Sequence, residues 1–60
     1  MFKVIIEGEE FKEVEFARCQ SLDEAVALAL GLHRSSNVDH VVKVYDVDHD
    51  NNAISFINRG

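Results

Sequence analysis

The sequence predicts a small α+β domain in which four strands form a mostly antiparallel sheet and one helix packs on one face of it, in the order ββαββ. Three observations predict this fold. A single amphipathic helix pattern lies near the middle of the chain, two alternating apolar runs precede it, and two more follow it. Proline is absent and no linker-like stretch occurs, so residues 1–60 are expected to form one domain.

The helix is predicted over residues 22–34. Ser21 and Glu24 have the spacing of a capping box, in which the serine hydroxyl accepts a backbone N–H and the glutamate reaches back to the cap. Asn37 tolerates the left-handed backbone that commonly follows a helix. The side chains that share one stripe of the helix, and should face the sheet, are Leu22, Ala25, Val26, Ala29, Leu30 and His33.

Alternating apolar and polar side chains predict strands over residues 2–7, 11–19, 40–47 and 53–58. The helix joins the two strand pairs, and such a crossover would make one central pair parallel. Inward-facing strand residues and the helix stripe should bury each other. The predicted core consists of Phe2, Val4, Ile6, Val14, Phe16, Leu22, Val26, Ala29, Leu30, Val42, Val44, Ile54 and Phe56.

Composition excludes several classes of protein. The net charge is −5 and the six Lys and Arg residues are scattered, which disfavours direct binding to nucleic acid. The single cysteine, Cys19, allows no internal disulfide and is expected to be a small buried hydrophobe; with no apolar amino-terminal segment, a cytoplasmic location is expected. The uncharged run over residues 25–32 is too short to cross a membrane.

Asp46, Asp48 and Asp50 are spaced like the first half of a calcium-binding loop. However, that loop requires Gly at its sixth position, which is Asn51 here, and Glu at its twelfth, which is Ile57. The pattern therefore predicts a hairpin turn in which Asp side chains bond to their own backbone, with no metal bound.

His33, His40 and His49 could in principle join Cys19 in a zinc site or a catalytic pair, but no ligand spacing supports this. We therefore expect His33 to end the helix, His40 to begin a strand and His49 to lie on a turn. The sequence assigns no catalytic residue, cofactor or metal ligand, and we expect the protein not to be an enzyme.

Two sets of side chains are candidates for contact with a protein partner. One is an apolar excess on the outer sheet face and the helix shoulder, which predicts a homodimer with Tyr45 near the centre of the contact. The other is acidic and could imitate phosphates. The apolar set is Ile5, Val41, Tyr45, Val47, Ile57, Leu28 and Leu32. The acidic patch is Glu7, Glu9, Glu10, Glu13, Glu15, Asp46, Asp48 and Asp50.

The leading interpretation is a non-enzymatic interaction module, such as a small inhibitor or regulatory accessory protein. An alternative is an acidic nucleic-acid mimic that occupies a basic cleft. The opening strand pair followed by Ser-Leu-Asp-Glu-Ala at residues 21–25 resembles the small antitoxin domains of the HicB type, in which a hairpin precedes a Thr-Leu-Glu-Glu-Ala helix. This resemblance implies a third alternative, an antitoxin-like domain. The pattern also resembles short domains encoded by phages and mobile elements.

Overall fold

A computed structural model describes residues 1–8, 12–36 and 39–58 and confirms the ββαββ order. The predicted strand start at Phe11 and the predicted helix stop at Asn37 lie outside the described residues. The elements are β1 (Phe2–Gly8), β2 (Val14–Cys19), α1 (Leu22–Ser35), β3 (His40–Asp46) and β4 (Asn51–Asn58). No helix of the described part is long and apolar enough to cross a membrane.

The four strands form one sheet in the order β2-β1-β3-β4, and each neighbouring pair is antiparallel. The expected parallel central pair is therefore wrong. The helix α1 connects β2 to β3, which run in the same direction, but β1 lies between them. The crossover thus joins two strands that are not neighbours, and every ladder in the sheet is antiparallel.

Side chains fix both ends of α1. At its start, the backbone N–H of Glu24 donates to the Ser21 hydroxyl at 3.2 Å, as the capping box predicts. At its end, the hydroxyls of Ser35 and Ser36 both donate to the Leu32 carbonyl, at 3.1 and 3.0 Å. Ser36 has extended backbone angles, so the helix cannot continue past Ser35.

The core lies between α1 and the two central strands. Val4 of β1 pairs with Val44 of β3, and both are fully buried, as is Val42. Above them, α1 presents Ala25 and Ala29, which are also fully buried. Because alanine carries only a methyl group, the helix backbone can approach the sheet closely at these two positions.

Four residues predicted in the core are exposed instead: Val14, Phe16, Leu22 and Ile54. The reason is the width of the sheet. Outermost strands of a four-stranded sheet lie roughly 14 Å apart, whereas one helix covers about 10 Å. Since α1 lies over the central strands, Val14 of β2 and Ile54 of β4 lie beyond its cover, whereas Cys19 and Phe56 on the same two strands pack in or against the core. Leu22 is a separate case, because it is the first residue of α1 itself.

A bulge in β2 explains the exposure of Phe16. Val4 pairs with Ala17 and Ile5 pairs with Glu15, which leaves Phe16 as an extra residue in the ladder. An inserted residue reverses which side chains point to each face of a strand. Strict alternation would have turned Phe16 toward the helix, and the bulge leaves it 53% exposed.

The same bulge turns Cys19 toward the helix, although alternation along β2 predicted the opposite face. Cys19 pairs with Phe2, is 4% exposed and belongs to the buried cluster. The prediction that Cys19 is a small buried hydrophobe is confirmed.

Leu28 and Leu32 were both expected on a helix shoulder outside the core. Leu28 is 39% exposed, but Leu32 is half-buried and packs against the buried cluster. The expectation for Leu32 is therefore wrong: it lies seven residues after Ala25, two helical turns along, and extends the same buried line.

Candidate functional site

The outer sheet face, defined as the side that does not contact α1, carries a mixture of apolar and charged residues. Cross-strand pairing arranges them in three rows across β1, β3 and β4. The rows are Lys3, Tyr45 and Asn52; then Ile5, Lys43 and Ser55; then Glu7, Val41 and Ile57. The predicted apolar residues are thus interrupted by two lysines and a glutamate.

Ile5 lies at the base of a shallow recess of about 330 Å³ in this face. It is only 3% exposed, because the longer side chains around it cover it. Ile5 is therefore out of reach of a partner in the monomer. The recess is lined by Lys3, Ile5, Glu13, Lys43, Tyr45, Asp50 and Asn52.

Tyr45 is held at the rim of the recess by two polar contacts. Its hydroxyl donates to Asp50 Oδ1 at 2.6 Å, and Lys3 Nζ lies 5.2 Å from the centroid of its ring. Asp50 has a left-handed backbone with φ of 49°, which aspartate tolerates better than most residues. The hydrogen bond to Asp50 raises the pKa of Tyr45, because it favours the neutral phenol.

We expect Tyr45 to ionise at higher pH than a free tyrosine, and Asp50→Asn to return its pKa toward the usual value of about 10. Tyr45 is the single tyrosine and the chain has no tryptophan, so ultraviolet absorbance against pH reports this one group. The pKa of Tyr45 is higher in the folded state than in the unfolded state. The hydrogen bond therefore contributes its full stabilisation at pH values below the pKa of the unfolded state. This contribution is lost as the pH rises through the pKa of the folded state.

Asp48→Asn is the matched control for this titration, since Asp48 pairs with the amino terminus of Met1 at 2.6 Å and not with Tyr45. Identical titration curves for the native protein and Asp50→Asn would contradict the role of the hydrogen bond.

The structure brings only part of the predicted apolar set together. Val41 and Ile57 are direct cross-strand neighbours, and Ile57 is 54% exposed. Val47 lies in the turn after β3. Leu28 and Leu32 are on α1, at the other side of the sheet. The set therefore does not form one continuous surface.

The acidic patch does not form one row: Glu13 and Asp50 line the same recess, but other members lie far apart. Glu7 lies near the carboxyl end of β1, whereas Asp46 pairs with Phe2 at the opposite end. A seven-residue strand separates these ends by roughly 20 Å. Glu9 and Glu10 lie outside the described residues.

Most of the described carboxylates already have partners within the chain. Glu15 pairs with Arg18 at 3.0 Å, and Glu7 lies 3.9 Å from Lys43 Nζ. Asp46 accepts from His49 Nδ1 at 2.8 Å. Partial burial raises the pKa of Asp46, but the bonds from His49 and from the Asp48 N–H outweigh this and lower it overall.

The turn between β3 and β4 has the predicted Asx form. The Asp48 N–H donates to Asp46 Oδ1 at 3.2 Å, two residues back, which confirms the expected side-chain bond to local backbone. Within residues 1–8, 12–36 and 39–58, no three His, Cys, Asp or Glu side chains are placed to hold a metal ion.

Two histidines that the sequence did not pair are in contact. His33 Nδ1 of α1 lies 3.0 Å from His40 Nε2 of β3, and His40 is only 3% exposed. The His33 ring also stacks on Phe56 of β4, with 5.6 Å between centroids. The sequence contains one signal of this contact. In the alternating pattern of its strand, His40 lies on the same face as Val42 and Val44, so it should point inward.

Comparison of this chain with protein-family models, curated proteins and solved structures found no match.

Proposed function

We propose that this protein is a non-enzymatic protein-interaction module, acting as a small inhibitor or regulatory accessory protein of the kind encoded by phages or mobile elements. One observation carries the proposal. Among the described residues, eight large apolar side chains are more than a third exposed, and Phe16 and Ile57 are more than half exposed. Exposed apolar surface on a small domain commonly marks a contact site.

The polar side chains of the outer face support binding rather than chemistry. The Tyr45 hydroxyl is bonded to Asp50, and Lys43 faces Glu7. Groups that satisfy each other in this way hold the shape of a surface, whereas a catalytic centre needs a nucleophile, a base and an orienting group within reach of a pocket. The recess in this face is shallow and open.

The acidic mimic remains an alternative, but the carboxylate geometry does not favour it. A mimic presents a row of free negative charges to a basic cleft. Here Glu7 and Asp46 lie at opposite ends of the sheet, and Glu7, Glu15, Asp46, Asp48 and Asp50 are each near an internal partner. No structural observation favours the antitoxin-like alternative over the other two.

Affinity capture from extracts of the source cell, using purified protein on a support, tests the proposal through matched variants. Phe16→Asp and Ile57→Asp place a charge at each exposed apolar site, and each should abolish capture of the partner. Ala27→Asp, at an exposed position of α1, should leave capture intact. Circular dichroism should show the same fold for all three.

A fourth variant separates the two interpretations. In this variant, lysine replaces Glu9, Glu10 and Glu13. Capture of the partner should be largely unchanged, and a higher salt concentration should weaken the capture only a little. If this triple replacement abolished a salt-sensitive capture while the two apolar variants retained it, the mimic interpretation would replace the proposed one.

A further inference from the structure

The strand β4 forms one edge of the sheet, because β3 is its only neighbouring strand among the described residues. An edge strand has backbone N–H and C=O groups that no strand of its own chain pairs, and these groups can pair with another strand. Residues 51–58 contain no charged side chain, although the chain as a whole carries a net charge of −5. The backbone edge of β4 is therefore accessible without charge repulsion along its length.

The opposite edge, β2, has the features that prevent such pairing. Glu15 and Arg18 place charges along it, and the extra residue Phe16 interrupts its regular hydrogen-bonding pattern. Charged side chains and bulges are the usual means by which edge strands avoid pairing with other chains. β4 is also irregular, because Ala53 is an extra residue opposite Val44 and Tyr45. The two edges still differ in charge, since only β2 carries charged side chains.

The sequence of β4 is also close to symmetric about Ser55. Residues 52–58 read Asn-Ala-Ile-Ser-Phe-Ile-Asn, so that reversal exchanges asparagine with asparagine and apolar with apolar residues. Two antiparallel copies centred on Ser55 therefore place Ile54 opposite Phe56 on both sides of the centre, within the part of β4 that follows the irregular position Ala53. A two-fold axis requires this kind of self-complementary surface.

We propose that β4 pairs with β4 of a second copy of the chain, giving a symmetric dimer with a continuous eight-stranded sheet. Ser55 lies on the two-fold axis, and Ile54 of each protomer lies opposite Phe56 of the other on the helix side. This covers the Ile54 side chain, which is 37% exposed in the monomer.

This arrangement differs from a dimer joined through the outer sheet face around Tyr45. That face carries Lys3 and Lys43 at its centre, and Ile5 between them is already covered by its own chain. Stacking two such faces brings lysines of both copies together, whereas pairing at β4 brings only uncharged residues into contact. The inference needs no other protein, but it involves β4, which carries Ile54 and Ile57, two of the exposed side chains that support the proposed function.

Light scattering on the intact chain tests the dimer. At tens of micromolar the protein should have twice the 6.8 kDa mass of one chain. Ile54→Lys should halve the measured mass, because it places like charges on each side of the two-fold axis. Phe16→Lys, the matched change on the β2 edge, should leave the mass unchanged. A monomeric native protein, or an Ile54→Lys variant that stays dimeric, would overturn the proposal.

Disulfide cross-linking keeps the test decisive if Ile54→Lys fails to fold. In the Cys19→Ala background, Ser55→Cys should give a covalent dimer on mild oxidation, because paired antiparallel residues lie about 4.5–5.5 Å apart between Cα atoms, within disulfide range. Lys43→Cys is the control: it lies one strand further in, so its two copies would be roughly 15 Å apart. Cross-linking through Lys43→Cys but not Ser55→Cys would overturn the β4 pairing and indicate a dimer through the outer face.

Discussion

Ala29→Leu is expected to destabilise the protein by about 1–3 kcal/mol, through overpacking of the core. Ala29 is fully buried, and with Ala25 it lies where α1 passes over the fully buried Val42 and Val44. A leucine side chain there must push the helix away from the sheet. A domain of this size rarely has more than about 3–5 kcal/mol of stability, so this change should remove a large share of it. Urea denaturation followed by circular dichroism measures the change.

Ala27→Leu is the matched control, with the same added volume at an exposed position of the same helix. It should leave the free energy of unfolding close to that of the native protein. Equal stability of Ala27→Leu and Ala29→Leu would contradict the close approach of α1 to the sheet.

His40→Ala is expected to cost about 1–3 kcal/mol, because it removes a buried side chain and leaves the His33 ring nitrogen without the partner it contacts at 3.0 Å. The loss of stability should appear as a lower urea concentration at the midpoint of unfolding. His49→Ala is the control, since the His49 side chain is 78% exposed and its removal should have little effect.

A double-mutant cycle separates the contact from simple loss of packing. If His33 and His40 stabilise the fold through each other, His33→Ala should cost less in the His40→Ala background than in the native protein. Fully additive effects would show that the two rings stabilise the fold independently, so that their contact with each other contributes nothing to stability.

The sequence predicted the elements and their order because the signals involved are local. The predicted bond from the Glu24 N–H to the Ser21 hydroxyl forms, and alternation correctly turns Val4, Val42 and Val44 toward the helix. These residues lie in the centre of the sheet, where burial on one face dictates the pattern.

The failures occur where the outcome depends on the whole fold. Phe16 looks like a core residue within its strand, but the bulge opposite Val4 and Ile5 is a property of two strands together. The coverage of each strand depends on where α1 crosses the sheet, which the helix stripe does not reveal. The same limit applies to the candidate surfaces, since the separation of Glu7 from Asp46 follows from the antiparallel pairing of β1 with β3.

The burial of Cys19 makes its thiol a reporter of transient opening. It is the single cysteine of the chain and lies on β2, an edge strand that, among the described strands, pairs only with β1. A thiol reagent in water reaches the sulfur only when β2 separates from the helix or the whole domain unfolds. The labelling rate of the native protein, compared with that of the denatured chain, therefore gives the free energy of this opening. The dependence of this free energy on urea concentration then distinguishes loss of the edge strand from complete unfolding. The slope of the free energy against urea concentration increases with the surface that becomes exposed.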